Sequence, residues 1–203
     1  MIFVRPDPSR NMFAADSQRP VLIAFGLALL VLFMTAAVPA RAQLFGGGMK
    51  DAIEKDDAAE VRTQLISGKP ATQRDAEGTP MLVIAASMDR ILIGRLLLQS
   101  GARINDKDAK GETPLTMAIR KGNVGFAKML LENKADPNAR GGNGEPPLVV
   151  AVITNNAGLV QALIDAKADL EGEDYTGSTP LAVAEQRNLR RIAEVLRKAG
   201  ASQ

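Results

Sequence analysis

The sequence predicts an all-α fold in which about five helix-turn-helix units stack into a solenoid with short β-turn or hairpin tips. Glycine, leucine and alanine columns recur at one 33-residue interval and keep a single phase. A unit of this length holds a turn and two short helices, which cannot bury their own apolar face, so neighbouring units must stack. The columns are Gly78, Gly111, Gly144 and Gly177; Leu82, Leu115, Leu148 and Leu181; and Ala85, Ala118, Ala151 and Ala184.

An export leader precedes the predicted units. Three arginines come before an uncharged run at 21–38, and Ala40-Arg41-Ala42 then has the small-x-small form that signal peptidase cleaves. We therefore expect a signal peptide at 1–42, a flexible join at 43–48 and a repeat domain at 49–203. Translation from Met12 would give a shorter leader, and both starts remain open. Because the basic residues precede the apolar run, the positive-inside rule places the rest of the chain in the periplasm.

The same apolar run supports an alternative. Its 18 residues are enough to span a bilayer, so an uncleaved anchor that holds the repeats at the periplasmic face of the inner membrane stays open. Gly26 and Pro39 favour cleavage because they weaken the last helical turn of the run. In either case the chain has no cysteine, so stacking must stabilise it without disulfides.

Composition excludes several function classes. Without the leader, basic and acidic residues are equal in number, so the chain as a whole does not attract nucleic acid. The lack of histidine and cysteine excludes a Ser-His-Asp triad, a thiolate nucleophile and the usual zinc sites. No cofactor is expected. A hydrolase without these residues is a remote alternative, since it would need a closed pocket.

The third unit shows how the sequence encodes one repeat. Asp108 and Gly111 predict a tight turn, Thr113 caps a helix, and Pro114 suits its first position. This helix should end at Gly122 in the left-handed conformation. The other units place residues that tolerate this conformation at the same stop: Asp56, Asp89, Asn155 and Asn188.

A second helix is expected over 124–133, with Phe126, Met129 and Leu130 facing the core. The pattern Asp-x-x-Gly-x-Thr-Pro-Leu-x-x-Ala, followed by Leu-Leu and Ala-Asp-x-Asn, resembles the ankyrin repeat over nearly all of the chain after the leader. The resemblance implies units at about 46–74, 75–107, 108–140, 141–173 and 174–203, the first of them degenerate. It also implies a non-catalytic, monomeric protein-interaction module.

The chain departs from the family pattern at two columns. The histidine that usually follows Thr-Pro-Leu is replaced throughout, so we expect a hydrogen bond between neighbouring turns to be lost. Pro80 and Pro146 replace threonine and remove two capping hydroxyls. The residues in the histidine column are Val83, Thr116, Val149 and Ala182.

In the family, the tips and inner helices form a concave face that binds the partner. Five cations near the third unit could receive an acidic protein patch, although an ordinary solvated face is the alternative. Tyr175 lies at a turn tip and could anchor a partner, unless its ring folds back on its own turn. Substituting Tyr175, Arg120 or Lys121 should then weaken binding without lowering the melting temperature. The candidate residues are Lys107, Lys110, Arg120, Lys121, Arg140 and Tyr175.

Two further motifs lack the features of ligand sites. The glycines at 46–48 do not have the spacing of a phosphate loop and are interpreted as part of the join. Glu171, Glu173 and Asp174 gather oxygens around one turn and could hold a calcium ion weakly, but they lack EF-hand spacing, which favours a solvated turn. The sequence therefore predicts no metal site.

Overall fold

The computed structural model describes residues 48–202, and these form an array of paired helices without strands. The predicted leader and all but the last residue of the predicted join lie outside this range. Consecutive helices pair into five units, which confirms the predicted all-α solenoid. The ten helices of the described range are α1 Met49–Glu54, α2 Ala58–Ile66, α3 Met81–Ser87, α4 Ile91–Gln99, α5 Pro114–Lys121, α6 Val124–Glu132, α7 Pro147–Ile153, α8 Ala157–Asp165, α9 Pro180–Gln186 and α10 Arg190–Ala199.

The helix starts follow the predicted capping chemistry. Thr113 accepts a hydrogen bond from the Thr116 backbone N–H at 3.1 Å, and the Thr116 hydroxyl oxygen accepts one from the Thr113 N–H at 2.9 Å. Thr179 also caps α9, accepting the Ala182 backbone N–H. Pro80 and Pro146 cap α3 and α7 without a side-chain bond, as expected from the missing hydroxyl.

Two columns of left-handed residues end the helices. The predicted stop after each first helix has φ between 53° and 75° in all five units. The second helices end in a column of Gly68, Gly101 and Gly200, but the third and fourth units have lysine there. Lys134 and Lys167 adopt φ of 69° and 66°, which costs free energy for any residue with a Cβ.

The predicted columns form one continuous core. Every member of the leucine column at 82, 115, 148 and 181 and of the alanine column at 85, 118, 151 and 184 is at most 1 % exposed. Phe126 is fully buried on α6 and packs where Gly94 opens a space on α4. Each helix therefore packs on its neighbour along the array, as the stacking prediction requires.

The tips between units are tight turns. Asp75, Asp108 and Asp174 each begin a tip, and one oxygen of each carboxylate accepts two backbone N–H groups from the same turn. Gly141 takes this position in the fourth unit, so no carboxylate fixes that tip. Within the described range the tips are turns and not full hairpins, apart from one antiparallel bridge between Arg74 and Pro80.

Side-chain acceptors also join the consecutive loops that follow the second helices. Asn105 accepts the Asp136 N–H at 3.1 Å, and Asn138 accepts the Asp169 N–H at 2.8 Å. The same loop position in the next unit holds Glu171, which accepts the Ser202 N–H at 2.8 Å. Among the residues described, no helix has both the length and the apolar character needed to cross a bilayer.

Candidate functional site

The candidate site is the surface formed by the tips and the last turns of the first helices, which we name the recognition face. Tips and helix ends from successive units lie side by side because the units stack in register. Its segments are 74–79, 87–88, 107–112, 120–121, 140–145, 153–154, 173–178 and 186–187.

Three lysines of the third unit are free cations on this face. Lys107 and Lys110 flank the turn of the third tip, and Lys121 ends α5. All three are exposed, and none forms an ion pair or side-chain hydrogen bond with another described residue. Their ammonium groups remain available to an anionic partner.

Arg120, by contrast, is half-buried and held by two glutamates of neighbouring tips. Its Nη2 lies 3.0 Å from Glu112 Oε1 and 3.0 Å from Glu145 Oε2, and its Nε donates to Glu112 Oε1 at 3.1 Å. Burial lowers the pKa of Arg120, but the bonds and charges of the two glutamates outweigh it and raise the pKa. Arg120 thus links the third tip to the fourth, and it leaves the set of free binding residues.

Glycines allow the two tips to approach. A Cβ on Gly141 would lie 2.8 Å from Glu112 Oε2, and a Cβ on Gly142 would lie 2.3 Å from the Lys110 carbonyl oxygen. Residues with a side chain at these positions would push the tips apart. The glycines therefore permit the bridge from Arg120 to the buried side chains of Glu112 and Glu145.

Arginines tie the other tips to their neighbours. Arg140 Nη1 donates to the carbonyls of Gly144 and Glu173, both at 2.7 Å, and so joins the fourth tip to the fifth. Arg74 makes the equivalent bonds to Gly78 and Lys107, at 2.7 and 2.8 Å, and joins the second tip to the third. Arg140 is exposed, but its guanidinium already serves as a structural donor.

Lys50 supplies the remaining link. It occupies the histidine column in the first unit, and its Nζ lies 2.9 Å from Asp75 Oδ2 and 3.1 Å from Glu77 Oε2. The loss of the histidine bond is therefore offset. Lys50 connects α1 to the second tip, and Arg74, Arg120 and Arg140 connect the three pairs of neighbouring tips in the described range. Neither Arg74 nor Lys50 was predicted in this role, although the 66-residue spacing of Arg74 and Arg140 was a detectable signal.

Comparison with protein families agrees with this geometry. A model described as ankyrin repeats (3 copies) matches residues 49–141, which contain the first three helix pairs. The chain is an ankyrin repeat protein. Its fourth and fifth helix pairs continue the same architecture beyond the matched residues. No curated protein is significantly similar to the chain in sequence.

Ankyrin repeats are generally protein–protein interaction modules and are typically non-catalytic. In this ankyrin repeat array, Tyr175 stands at the tip of the fifth unit with 76 % of its surface exposed. Its ring is therefore not folded back on its own turn. A large, exposed aromatic side chain on a fixed tip is suited to contact with a partner.

The described range holds no group of three or more carboxylate, histidine or cysteine side chains suited to a metal ion. Near the weak calcium candidate, Glu171 accepts a backbone N–H, and Asp174 accepts three hydrogen bonds from Thr176 and Ser178. Those bonds lower the pKa of Asp174, with the Thr176 side chain contributing most. Glu171 Oε1 and Asp174 Oδ1 therefore already accept hydrogen bonds within the ankyrin repeats.

Surface grooves also occur away from the recognition face. One, of about 440 Å³, lies between α6 and α8, and another, of about 320 Å³, lies between α9 and α10. Lys128 and Glu132 border the first, and Glu185 and Arg197 border the second. Neither groove contains the free lysines or Tyr175.

Proposed function

We propose that this ankyrin repeat protein binds a partner protein, without catalysis, through an acidic segment that lies along the recognition face. The observation that carries the proposal is the set of three unpaired lysines, Lys107, Lys110 and Lys121, on a frame of linked tips. Ion pairs with carboxylates compensate Arg74 and Arg120, whereas Arg140 is bonded to backbone carbonyls and keeps its charge. The three lysines and Arg140 therefore define the local positive charge.

A local cluster matters even though the chain is neutral after its predicted leader. Charges interact strongly only within roughly 10 Å at physiological salt, so a distant carboxylate does not cancel the cluster. The lysines lie within one unit and are not neutralised by pairs among the described residues. Acidic side chains on a partner would therefore gain a local attraction that favours one orientation.

Tyr175 provides a second contact at a defined spacing. It lies two units from the third tip, and packed helices are about 8–10 Å apart, so the separation is roughly 20 Å. An extended segment of about six residues spans this length at about 3.3 Å per residue. The proposed ligand thus has acidic residues at one end and an apolar group at the other.

The binding test uses the full chain and a fluorescent hexaglutamate peptide followed by anisotropy. Replacing Lys107, Lys110 and Lys121 with glutamine should abolish binding that is seen at low salt. The matched control replaces three exposed cations of the second helices, Arg95, Lys128 and Arg191, which changes the net charge equally. Equal losses in both triple variants, or no binding of the peptide to the native chain, would refute the acidic-ligand proposal.

Interaction itself is tested in cells by a photo-crosslinking residue at Tyr175. A discrete protein adduct should form there and not from the exposed Gln161 on α8. The same adduct from both positions would show contact without a preferred face. Loss of the adduct after the triple lysine substitution would connect the partner to the basic cluster.

We also propose that the protein acts in the periplasm after cleavage of the leader at Ala42. The basic flank, the apolar run and Ala40-Arg41-Ala42 support this location. Mass spectrometry of the protein recovered from cells should find Gln43 at the amino terminus. An intact leader in the membrane fraction would instead favour the tethered scaffold.

A further inference from the structure

The fourth tip differs chemically from the other tips of the described range. It has the sequence Gly141-Gly142-Asn143-Gly144, and Asn143 is exposed. Asn143 is also the one asparagine of residues 48–202 that precedes a glycine. An asparagine followed by glycine leaves the next backbone nitrogen open to attack the side-chain amide, because no Cβ shields it.

The packing of the tips explains why this segment is less restrained than its counterparts. Asp75, Asp108 and Asp174 each hold the two N–H groups of their turn that correspond to those of Asn143 and Glu145. Gly141 has no carboxylate to hold them. It cannot gain one without displacement, since a Cβ there would lie 2.8 Å from Glu112 Oε2 and 3.2 Å from Thr116 Cβ.

Two backbone bonds still close the turn, and in the first of them the Gly141 N–H donates to the Glu145 carbonyl at 3.0 Å. The Gly144 N–H donates to the Gly141 carbonyl at 2.9 Å, with Gly144 at φ 72°. Opening this bond frees the nitrogen, and the three glycines of the tip offer little steric resistance to the change. The exposed amide of Asn143 is the nearest electrophile along the chain.

We propose that Asn143 is a site of spontaneous deamidation through a succinimide with Gly144. The Gly144 backbone nitrogen attacks Asn143 Cγ and forms a C–N bond, while the Cγ–Nδ2 bond breaks and the amide leaves as ammonia with the proton of the backbone nitrogen. Water then opens the ring. Cleavage at Cγ yields aspartate, and cleavage at the main-chain carbonyl yields isoaspartate, which adds a methylene to the backbone.

Both products place a new carboxylate on the recognition face. Residue 143 occupies the position in the fourth tip that Lys110 occupies in the third, so the negative charge enters between the lysine cluster and Tyr175. The reaction does not depend on the proposed function, but its effect on an acidic ligand does. Aged protein should bind hexaglutamate more weakly than fresh protein.

The experiment ages the full chain at neutral and mildly alkaline pH and follows each asparagine by peptide mass spectrometry. Deamidation should occur first at Asn143, rise with pH, and produce isoaspartate that an isoaspartyl methyltransferase labels. The native chain should gain an acidic ion-exchange species that Asn143→Gln does not form. The internal controls are Asn105, Asn123, Asn133, Asn138, Asn155, Asn156 and Asn188.

A parallel incubation in urea separates sequence from structure. If Asn143 reacts in the unfolded chain but stays intact in the native chain, the turn protects it and the proposal is overturned. Equal rates at several asparagines in the native chain would also overturn it. Preserved hexaglutamate binding by deamidated protein would remove only the consequence for the ligand.

Discussion

At the residue scale, Arg120 illustrates how position changes the role of a charged side chain. Its neighbour Lys121 has no ionic partner among the described residues, whereas Arg120 compensates two buried carboxylates on different tips. Residue type alone made both of them binding candidates. The distinction arises because Glu112 and Glu145 are brought to one guanidinium by folding.

Replacing Arg120 with alanine should destabilise the protein, contrary to the expectation from sequence. Removing one partner of a buried ion pair leaves uncompensated charge, and because Arg120 is partly exposed we expect a loss of about 3 kcal/mol in the free energy of unfolding. Urea denaturation measures this. Lys121→Ala is the control and should change stability by less than about 0.5 kcal/mol. Similar values for both variants would contradict the internal role of Arg120.

Left-handed positions at the second-helix ends give a second residue-scale prediction. Gly101 has φ 90° and open space where a Cβ would lie, so Gly101→Ala should cost about 1 kcal/mol through backbone conformation alone. Lys167→Gly should raise the free energy of unfolding by about 0.5 kcal/mol, because relief of strain exceeds the entropy cost of glycine. Chemical denaturation of both variants tests this. If Gly101→Ala stabilised the protein, the left-handed backbone assigned to residue 101 would be wrong.

The sequence predicted the helices well and the tip links poorly, for a physical reason. The role of Leu115 follows from the apolar periodicity of its own unit, and the role of Gly122 follows from the left-handed backbone that ends its helix. The bond from Arg120 to Glu145 instead joins residues 25 apart and requires the close approach permitted by Gly141 and Gly142. A linear pattern contains no measure of that distance, so Arg120, Arg140 and the free lysines looked equivalent.

At the scale of elements, adjacent second helices interlock through unequal side-chain sizes. Gly94 on α4 leaves the space that Phe126 on α6 fills, and α3 and α5 pack through the alanine column. A small residue on one helix thus faces a large one on the next at the junction of α4 and α6. The apolar seam is therefore specific in shape as well as in composition.

Gly94→Ala should overpack the junction between α4 and α6. The added Cβ would lie 2.6 Å from Phe126 Cζ, and we expect a loss of about 1–3 kcal/mol. In a double-mutant cycle, combining it with Phe126→Leu should cost less than the sum of the single changes. Gly158→Ala on α8 is the control, because its Cβ makes only an ordinary contact and alanine favours helix. If the free-energy changes of Gly94→Ala and Phe126→Leu were strictly additive, the contact between positions 94 and 126 would be contradicted.

The link between the first and second units should depend on pH. Burial raises the pKa of Asp75, but the bonds from Lys50 and the Thr79 N–H outweigh it and lower the pKa from 3.8 to about 2. The folded state therefore binds the proton less tightly than the unfolded state, and the stabilisation is present above pH 3.8 and lost towards pH 2.

Comparing the native chain with Lys50→Met in urea at several pH values tests this link. The stability difference should be constant near neutral pH and shrink as the carboxylate is protonated. Lys55→Met, at an exposed residue without a partner among those described, should show no such trend. A stability difference between the two chains that grows as the pH falls would contradict the lowered pKa of Asp75.

At the scale of the whole repeat domain, stability is distributed unevenly along the array. The helix α7 of the fourth unit, which has a neighbouring unit on each side, buries six residues, whereas α2 of the first unit buries Val61 and Gln64. A terminal unit also packs on a single neighbour within the described range. Such arrays open from their ends at a lower free energy than from their centre.

Hydrogen exchange should reveal this gradient. Amides of α2 are expected to exchange faster than those of α5 and α7 under native conditions, because the first unit loses less buried surface when it opens. Uniform protection of the three helices would indicate a single cooperative unit. Lys50→Met should accelerate exchange in α2 more than in α7.

The linkage of each tip to the next has a mechanical consequence. Small rotations at successive junctions add, so the ends of the array can move farther than any single junction deforms. The bridge of Arg120 and the glycine contact hold the third tip to the fourth, while the fourth and fifth tips are joined by the guanidinium of Arg140. We therefore expect the tips to move most between the fourth and fifth units, so that the position of Tyr175 can adjust relative to the lysines of the third unit.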